Sequence, residues 1–346
     1  MGNARSFIIA PLSVGCLYLG YIYIYRSHKL LDKNVLNSDK LPSLVYLYMK
    51  YLSRAVTRRK GQLYAARASG ARAVVYTVLN CRLDGSLLRR FCCAAGYGWD
   101  YPDTEYRDIP LCFPEVLCSR LMLMVLTDRN FRLNPAGLTR VHQSLKTFLP
   151  IDEVKKGPFM LQVRIQGYRQ TDSGVEVDVC LSVTSRSGCP VWESILTLLS
   201  KNRLHRHLLR KKEEQPNDEE NIKRVEVRVP RTTGLQCLWS FTDYSPHRLL
   251  SLPAMICGLK TQTAPRFWMM SVCLAEIEKH KGVEILTAPT NVTVQFNETE
   301  PESRKITVRF WDTSKDLDQS VDKHLRFQVH LQGQSTPHMM GLISKV

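Results

Sequence analysis

The strongest constraint on the fold of this 346-residue chain is an order of segments that occurs twice. Downstream of residue 70, a β-branched run at residues 73–79 precedes a long apolar segment of helical length at 113–127. Strand-like stretches follow at 160–168, 174–183 and 191–200. In the second of these, Val175, Val177, Val179, Leu181 and Val183 alternate with mostly polar neighbours. That is the period of two that lays one face of a strand on a core. Turn-forming residues 170–174 join the first two stretches as a hairpin. The order then returns, with strands expected at 225–229 and 236–242 and a short helix at 251–258. A longer helix at 267–280 and strands at 291–296, 305–310 and 326–331 complete it. Two consecutive α+β units of similar order imply a tandem duplication. A helix followed by antiparallel strands argues against a parallel nucleotide-binding sheet.

The chain divides accordingly into residues 1–69, a first unit at 70–200, a connector at 201–224 and a second unit at 225–346. The connector places Lys201, Arg203, Arg206, Arg210, Lys211 and Lys212 before a block of acidic residues, as in a solvated linker. His205 and His207 stand in its cationic part without nearby carboxylates, and no metal site is expected. The 11 cysteines show no zinc spacing and no secreted disulfide framework, which fits reduced thiols.

Charge is uneven. Residues 1–90 hold 15 Lys+Arg and 3 acidic residues, +12, and the remainder holds 33 and 29, only +4. A uniformly basic nucleic-acid-binding body is therefore a poor reading of the charge. The collar of charge follows FIIAPLSVGCLYLGYIYIY, 19 residues from Phe7 to Tyr25 without a charge. As a helix rising about 1.5 Å per residue it matches the hydrocarbon thickness of a bilayer. Tyr18, Tyr21, Tyr23 and Tyr25 crowd one end, as rings at the headgroup level do. A cleaved signal peptide would have a shorter apolar core and a small-residue cleavage site, where this chain has Tyr25-Arg26-Ser27-His28-Lys29. The expectation is a single-pass membrane protein whose lipid contacts run from Phe7 to Tyr25 and through the basic residues of 26–60. Flanking charge puts the body in the cytosol. Met1-Gly2-Asn3-Ala4-Arg5-Ser6 also fits an N-myristoylation pattern, which would instead require a cytosolic N-terminus. The sequons Asn291-Val292-Thr293 and Asn297-Glu298-Thr299 would matter only in a lumenal body. A second apolar stretch, LPSLVYLYMKYL at 41–52, is too short to span. It reads equally as an interfacial helix on anionic lipid or as a helix packed on the body.

From Phe241 the second unit reads FTDYSPHRLLSLPAMICGLKTQTAPRFWMMSVCLAEIE. This stretch resembles the MaoC-like acyl-thioester dehydratases, which include the R-specific enoyl-CoA hydratases. Of their pattern D-x-N-P-x-H-x-D/S-x-x-x-A, a loop glycine and A-H-G opening a central helix, Asp243 matches the Asp, Pro246 the Pro, Ala254 the small residue and Gly258 the loop glycine, and the stretch from Trp268 onward is similar to the central helix. The run from Phe327 to Leu331 and Pro337-His338-Met339-Met340-Gly341 are similar to the final strands of double-hotdog members. Phe113-Pro114 and Gly137-Leu138 resemble their degenerate first hotdog.

The resemblance implies a tandem hotdog over roughly residues 70–346. It also implies an acyl thioester of CoA or of acyl carrier protein as substrate or ligand, with no other cofactor. Asp243 and His247 would be the catalytic pair, an arrangement that holds water and exchanges protons near neutral pH. Arg248, Gly258, Arg266 and Trp268 would bind substrate, the arginines through anionic phosphates. The departures fall on the functional positions. Ser245 replaces the Asn, Arg248 stands in register with the catalytic His while His247 lies one residue early, and Ala264-Pro265-Arg266 replaces A-H-G. Dehydratase chemistry is expected to be lost or altered, leaving acyl-thioester binding or a scaffold role. The alternatives are an active 3-hydroxyacyl-thioester dehydratase or enoyl-thioester hydratase, and an acyl-thioester hydrolase. Asp243 also suits a helix N-cap, and Trp268-Met269-Met270 reads more as core than as an acyl tunnel. Single hotdogs pair to close a sheet, so tandem copies permit a monomer, and a homodimer is the other candidate state.

Overall fold

A computed structural model describes residues 18, 20–65, 73–98, 101–103, 108–202, 222–228, 265–297, 305–313, 324–334 and 336–345. Among the described residues, eleven strands form one sheet in the order β1-β2-β4-β5-β6-β3-β8-β11-β10-β9-β7. The strands are β1 (Val35–Asn37), β2 (Val75–Cys81), β3 (Leu138–Thr147), β4 (Phe159–Thr171), β5 (Gly174–Thr184), β6 (Pro190–Lys201), β7 (Lys223–Arg228), β8 (Thr290–Phe296), β9 (Lys305–Thr313), β10 (His324–Leu331) and β11 (Met339–Lys345). If β2–β6 and β7–β11 are each counted from one to five, both halves run 1-3-4-5-2. The same topology occurs twice, joined where strand two of one half meets strand two of the other. This is a double hotdog.

The join is antiparallel, from His142↔Gln295 to Thr147↔Thr290. Thr147 Oγ1 accepts from the Thr290 N–H at 3.0 Å, which ties the end of the seam. Each half thus covers the edge that the other would leave open. The outer edge β7 carries Lys223, Arg224, Glu226 and Arg228, mostly exposed, a charged rim that disfavours further strand addition. The β4–β5 hairpin closes at Gly174, where an added Cβ would lie 2.1 Å from the Ser200 carbonyl oxygen, so only glycine fits.

Each half wraps its sheet around a helix. In the second half this is α6 (Arg266–Lys281), whose Phe267, Trp268, Met270, Cys273, Leu274 and Ile277 are all buried. The helix has no solvent face for most of its length, as a helix enclosed by sheet and neighbours requires. Each fully buried Leu, Ile or Phe contributes about 1.5–3 kcal/mol of apolar transfer. In the first half the helix expected over 113–127 is broken at Cys118 into α4 (Phe113–Leu117) and α5 (Ser119–Leu126). The next element, β3, is a strand that the hydrophobic pattern does not announce. Its polar positions Arg140, Gln143 and Thr147 are buried, which masks its alternation.

The N-terminal region does not stand apart from the sheet. A π-helical turn, Tyr21–Arg26, runs into α1 (Ser27–Leu31), and β1 then pairs in parallel with β2. The next helix, α2 (Leu44–Thr57), buries Leu47 and Tyr51 against the body. Tyr51 Oη donates to the Pro135 carbonyl at 3.1 Å. Arg54 donates to the Asp128 carbonyl, and Arg58 to those of Phe131 and Leu133. The stretch at 41–52 is therefore a helix packed on the body along one face. Between β2 and α4, α3 (Gly85–Ala94) starts at Asp84, whose carboxylate caps the Ser86 and Leu87 N–H groups.

No helix among the described residues is long and apolar enough to cross a membrane. Of the uncharged stretch from Phe7, residues 7–17 and 19 lie outside them. The expected segments at 236–242 and 251–258 and the connector histidines also lie outside.

Candidate functional site

The first residue of α6, Arg266, is buried, and the helix is preceded by Pro265 in an extended conformation. Pro265 has no N–H to offer a ligand. Its carbonyl instead accepts from Met269 N at 3.0 Å and starts the helix. The Arg266 guanidinium turns inward, and its Nη2 donates to the Asn297 carbonyl at 3.0 Å. Asn297 N donates in turn to the His338 carbonyl at 2.7 Å, and His338 N to that of Val329 at 2.8 Å. One backbone chain thus binds the start of α6, the end of β8, the start of β11 and the middle of β10.

His338 is the outlier of this cluster. Its side chain is fully buried, and neither Nδ1 nor Nε2 has a hydrogen-bond partner. Burial, reinforced by the Arg266 charge, pushes its pKa down to about 4. At neutral pH the ring is therefore uncharged, with one N–H donor and one lone pair unused. Leaving such a group unpaired inside a protein costs about 1–3 kcal/mol. A buried cation, a free donor–acceptor pair and the positive end of a 16-residue helix converge here. Together they suit a polar group that carries oxygen and partial negative charge.

A second buried polar cluster lies on the first-half side of the seam. Arg140 Nη2 meets Glu115 Oε1 at 2.5 Å, with both side chains 2% exposed. Gln143 Nε2 donates to Glu115 Oε2 at 2.8 Å and to Ser194 Oγ at 3.0 Å, and Arg140 also donates to the Gln143 amide oxygen. The guanidinium lies over two rings of the second half, Phe267 at 5.0 Å and Phe296 at 6.0 Å. The ion pair serves as a key between the halves.

Of the residues expected at the site, Asp243, His247, Arg248 and Gly258 lie outside the described residues. Arg266 and Trp268 are described, and the helix keeps them apart, because two residues are about 200° around its axis. Arg266 faces Asn297, whereas Trp268 is buried with its Nε1 donating at 2.9 Å to the carbonyl of Ala94 at the end of α3. Trp268 is thus built into the packing between the halves. The pattern did not identify His338 or the Glu115–Arg140 pair as site features. Pro337-His338 resembled a final strand, but only the fold shows an imidazole buried without partners. Among the described residues, no group of three His, Cys, Asp or Glu side chains is placed to hold a metal ion. The eight described cysteines are free, and burial pushes the Cys112 thiol beside the seam up to about 12. Asn291 of the sequon lies in β8, paired with a strand on each side, and its Oδ1 is buried.

No family model matches the chain, and no curated protein sequence matches it. Solved structures do. HtdX of Mycobacterium tuberculosis is 16% identical with a TM-score of 0.56, over 79% of this chain and 100% of its own. A MaoC-like dehydratase from Phytophthora capsici is 14% identical with a TM-score of 0.56, over 79% of this chain and 95% of its own. Another MaoC-like dehydratase is 13% identical with a TM-score of 0.58, over 78% and 97%. The chain therefore shares the double-hotdog fold of MaoC-like dehydratases, and at these identities the likeness is one of fold.

Proposed function

We propose that this chain binds a fatty-acyl thioester at the N-terminus of α6, in a body held on the cytosolic face of a membrane by residues 7–25. Dehydratase chemistry in it is lost or altered. The observation that carries the proposal is the unpartnered His338 imidazole beside the inward-turned Arg266. A thioester carbonyl oxygen accepts from an imidazole N–H and is stabilised by a nearby guanidinium. The second ring nitrogen serves a hydroxyl or water further along the acyl chain. Alteration follows from the helix start itself. Pro265 gives no N–H, and Arg266 occupies ground where a glycine would let backbone approach the ligand. Asp243 and His247 remain the residues on which any hydration would depend.

The test uses the full chain in detergent with an acyl-CoA thioether, which binds without reacting, and with trans-2-enoyl-CoA. Saturable thioether binding with no hydration above that of an Asp243→Asn/His247→Ala variant is the expected result. Hydration that the double variant abolishes would establish an active hydratase instead. Release of free CoA thiol from saturated acyl-CoA would establish a hydrolase. Absence of thioether binding would overturn the proposal.

A further inference from the structure

The large hydrophobic side chains that the described residues leave exposed are concentrated at one end of the chain. Nine of them lie between Tyr18 and Val56, and only Leu79 and Phe148 lie elsewhere. The concentration has a pattern. Helix α2 buries Leu47 and Tyr51 on the body, and on its far side Val45, Met49 and Val56 are exposed at spacings of four and seven, with Leu52 between them half-buried and packed against the core. At about 100° per residue the three exposed side chains fall within one narrow stripe, roughly opposite the buried pair. Val45 and Met49 are each 57% exposed and Val56 is 87% exposed. A helix with one apolar face docked needs no second one. A monomer in water would carry polar residues there.

Two further observations say what covers the stripe. The first is continuity. The π-helical turn runs straight into α1, which touches α2 and its N-cap, with the His28 and Tyr46 rings 6.4 Å apart and Ser43 N donating to Ser27 Oγ at 2.9 Å. The π-helical turn exposes Tyr21, Ile24 and Tyr25, with the two tyrosine rings stacked at 5.5 Å, where the uncharged stretch from Phe7 ends. The second is charge. Residues 18–60 contain nine Lys and Arg against two Asp, with Arg26, Lys29, Lys33, Lys40, Arg59 and Lys60 all exposed. An apolar stripe, aromatic rings and a basic rim together match the boundary between anionic headgroups and acyl chains. A partner protein would need no such excess of cations.

We infer that α2 lies in the plane of an anionic bilayer with the exposed Val45, Met49 and Val56 side chains among the upper acyl segments, and that it clamps the double-hotdog body to the membrane in a fixed orientation. The clamp is its inner face. Tyr51, Arg54 and Arg58 tie the helix to carbonyls of the segment at 128–135, between α5 and β3. The body therefore cannot swing freely as it would on a bare anchor. The inference rests on the membrane attachment proposed above and adds a second contact to it.

The test places the full chain, with ¹³C-labelled methionine methyl groups, in nanodiscs of equal parts phosphatidylcholine and phosphatidylserine. Met49→Leu assigns the signal. The expected result is that a lipid nitroxide near the headgroup erases the Met49 signal and an aqueous gadolinium chelate leaves it. The buried Met122 and Met124 should respond to neither agent. Val45→Asp with Val56→Asp should make Met49 respond to the aqueous agent while the Met122 and Met124 shifts stay in place, so loss of docking is separated from loss of fold. A Met49 signal erased by the aqueous agent in the unaltered chain would overturn the inference. A Met49 signal untouched by both would also overturn it, because a second copy or another protein would then cover the stripe. If the chain fails to remain with the discs at all, the attachment itself falls, a result distinct from the other two.

Discussion

The two halves of the sheet share one strand order and differ in what stands at the start of their central helices. In the first half the helix is broken at Cys118, and its first turn holds Glu115, locked to Arg140, Gln143 and, through Gln143, Ser194. In the second half α6 is continuous, and its start holds Arg266 beside an imidazole whose two nitrogens are unused. One half has paired its buried polar groups internally, and the other keeps a pair available. Duplication supplies two equivalent positions. Divergence makes one of them a structural key, and the other is the position at which we propose a ligand binds.

The largest expected effect lies in the key. Arg140→Met removes the cation that Glu115 faces inside the core and should cost about 3–5 kcal/mol in denaturant unfolding. Glu115→Leu combined with Arg140→Met should recover most of that loss, because no buried charge is then left without its opposite. Failure of the double variant to recover would show that the ion pair does more than fill the first half.

In the second half the core is tight. An added Cβ at Gly341 would lie 2.2 Å from Phe327 Cζ, so Gly341→Ala should cost about 1–3 kcal/mol. Phe327→Leu in the same chain should relieve it, as a thermal midpoint would show.

His338 should behave in the opposite sense. With its folded pKa near 4 and an unfolded value of 6.5, the unfolded chain binds one more proton between those limits. Stability therefore falls as pH drops from 6.5 towards 4, by about 1.4 kcal/mol per pH unit. His338→Met should abolish that component of the slope and raise stability near neutrality by about 1 kcal/mol. A destabilised His338→Met chain would make the imidazole an ordinary core residue and erase the contrast between the halves. The smallest effect is expected at Trp268→Phe, which loses the bond to the Ala94 carbonyl and should cost about 1 kcal/mol while leaving ligand affinity unchanged.

The fold was legible where one face of an element is apolar. The alternation of Val175 to Val183 marked β5, and the apolar run from Phe267 marked α6. It was not legible at β3, because Arg140 and Gln143 are buried as partners of Glu115 and look solvent-facing to any pattern of hydrophobicity. The break at Cys118 likewise leaves the run 113–126 mostly apolar, and no glycine and no proline after Pro114 marks it. At the candidate site, Arg266 was visible as a departure from a family pattern. The position of Trp268 is set by a contact from α3, more than 170 residues away in sequence, which no local pattern encodes. His338 became visible only as a burial without partners, a property of the fold and not of its neighbours in the chain.

The decisive measurement is the affinity of an acyl-CoA thioether for the full chain and for His338→Met, by calorimetry at neutral pH. A site at the start of α6 predicts saturable binding that weakens about tenfold or more in the variant, the scale of one charge-adjacent hydrogen bond, while the variant is no less stable. Equal affinity in the two chains would contradict it.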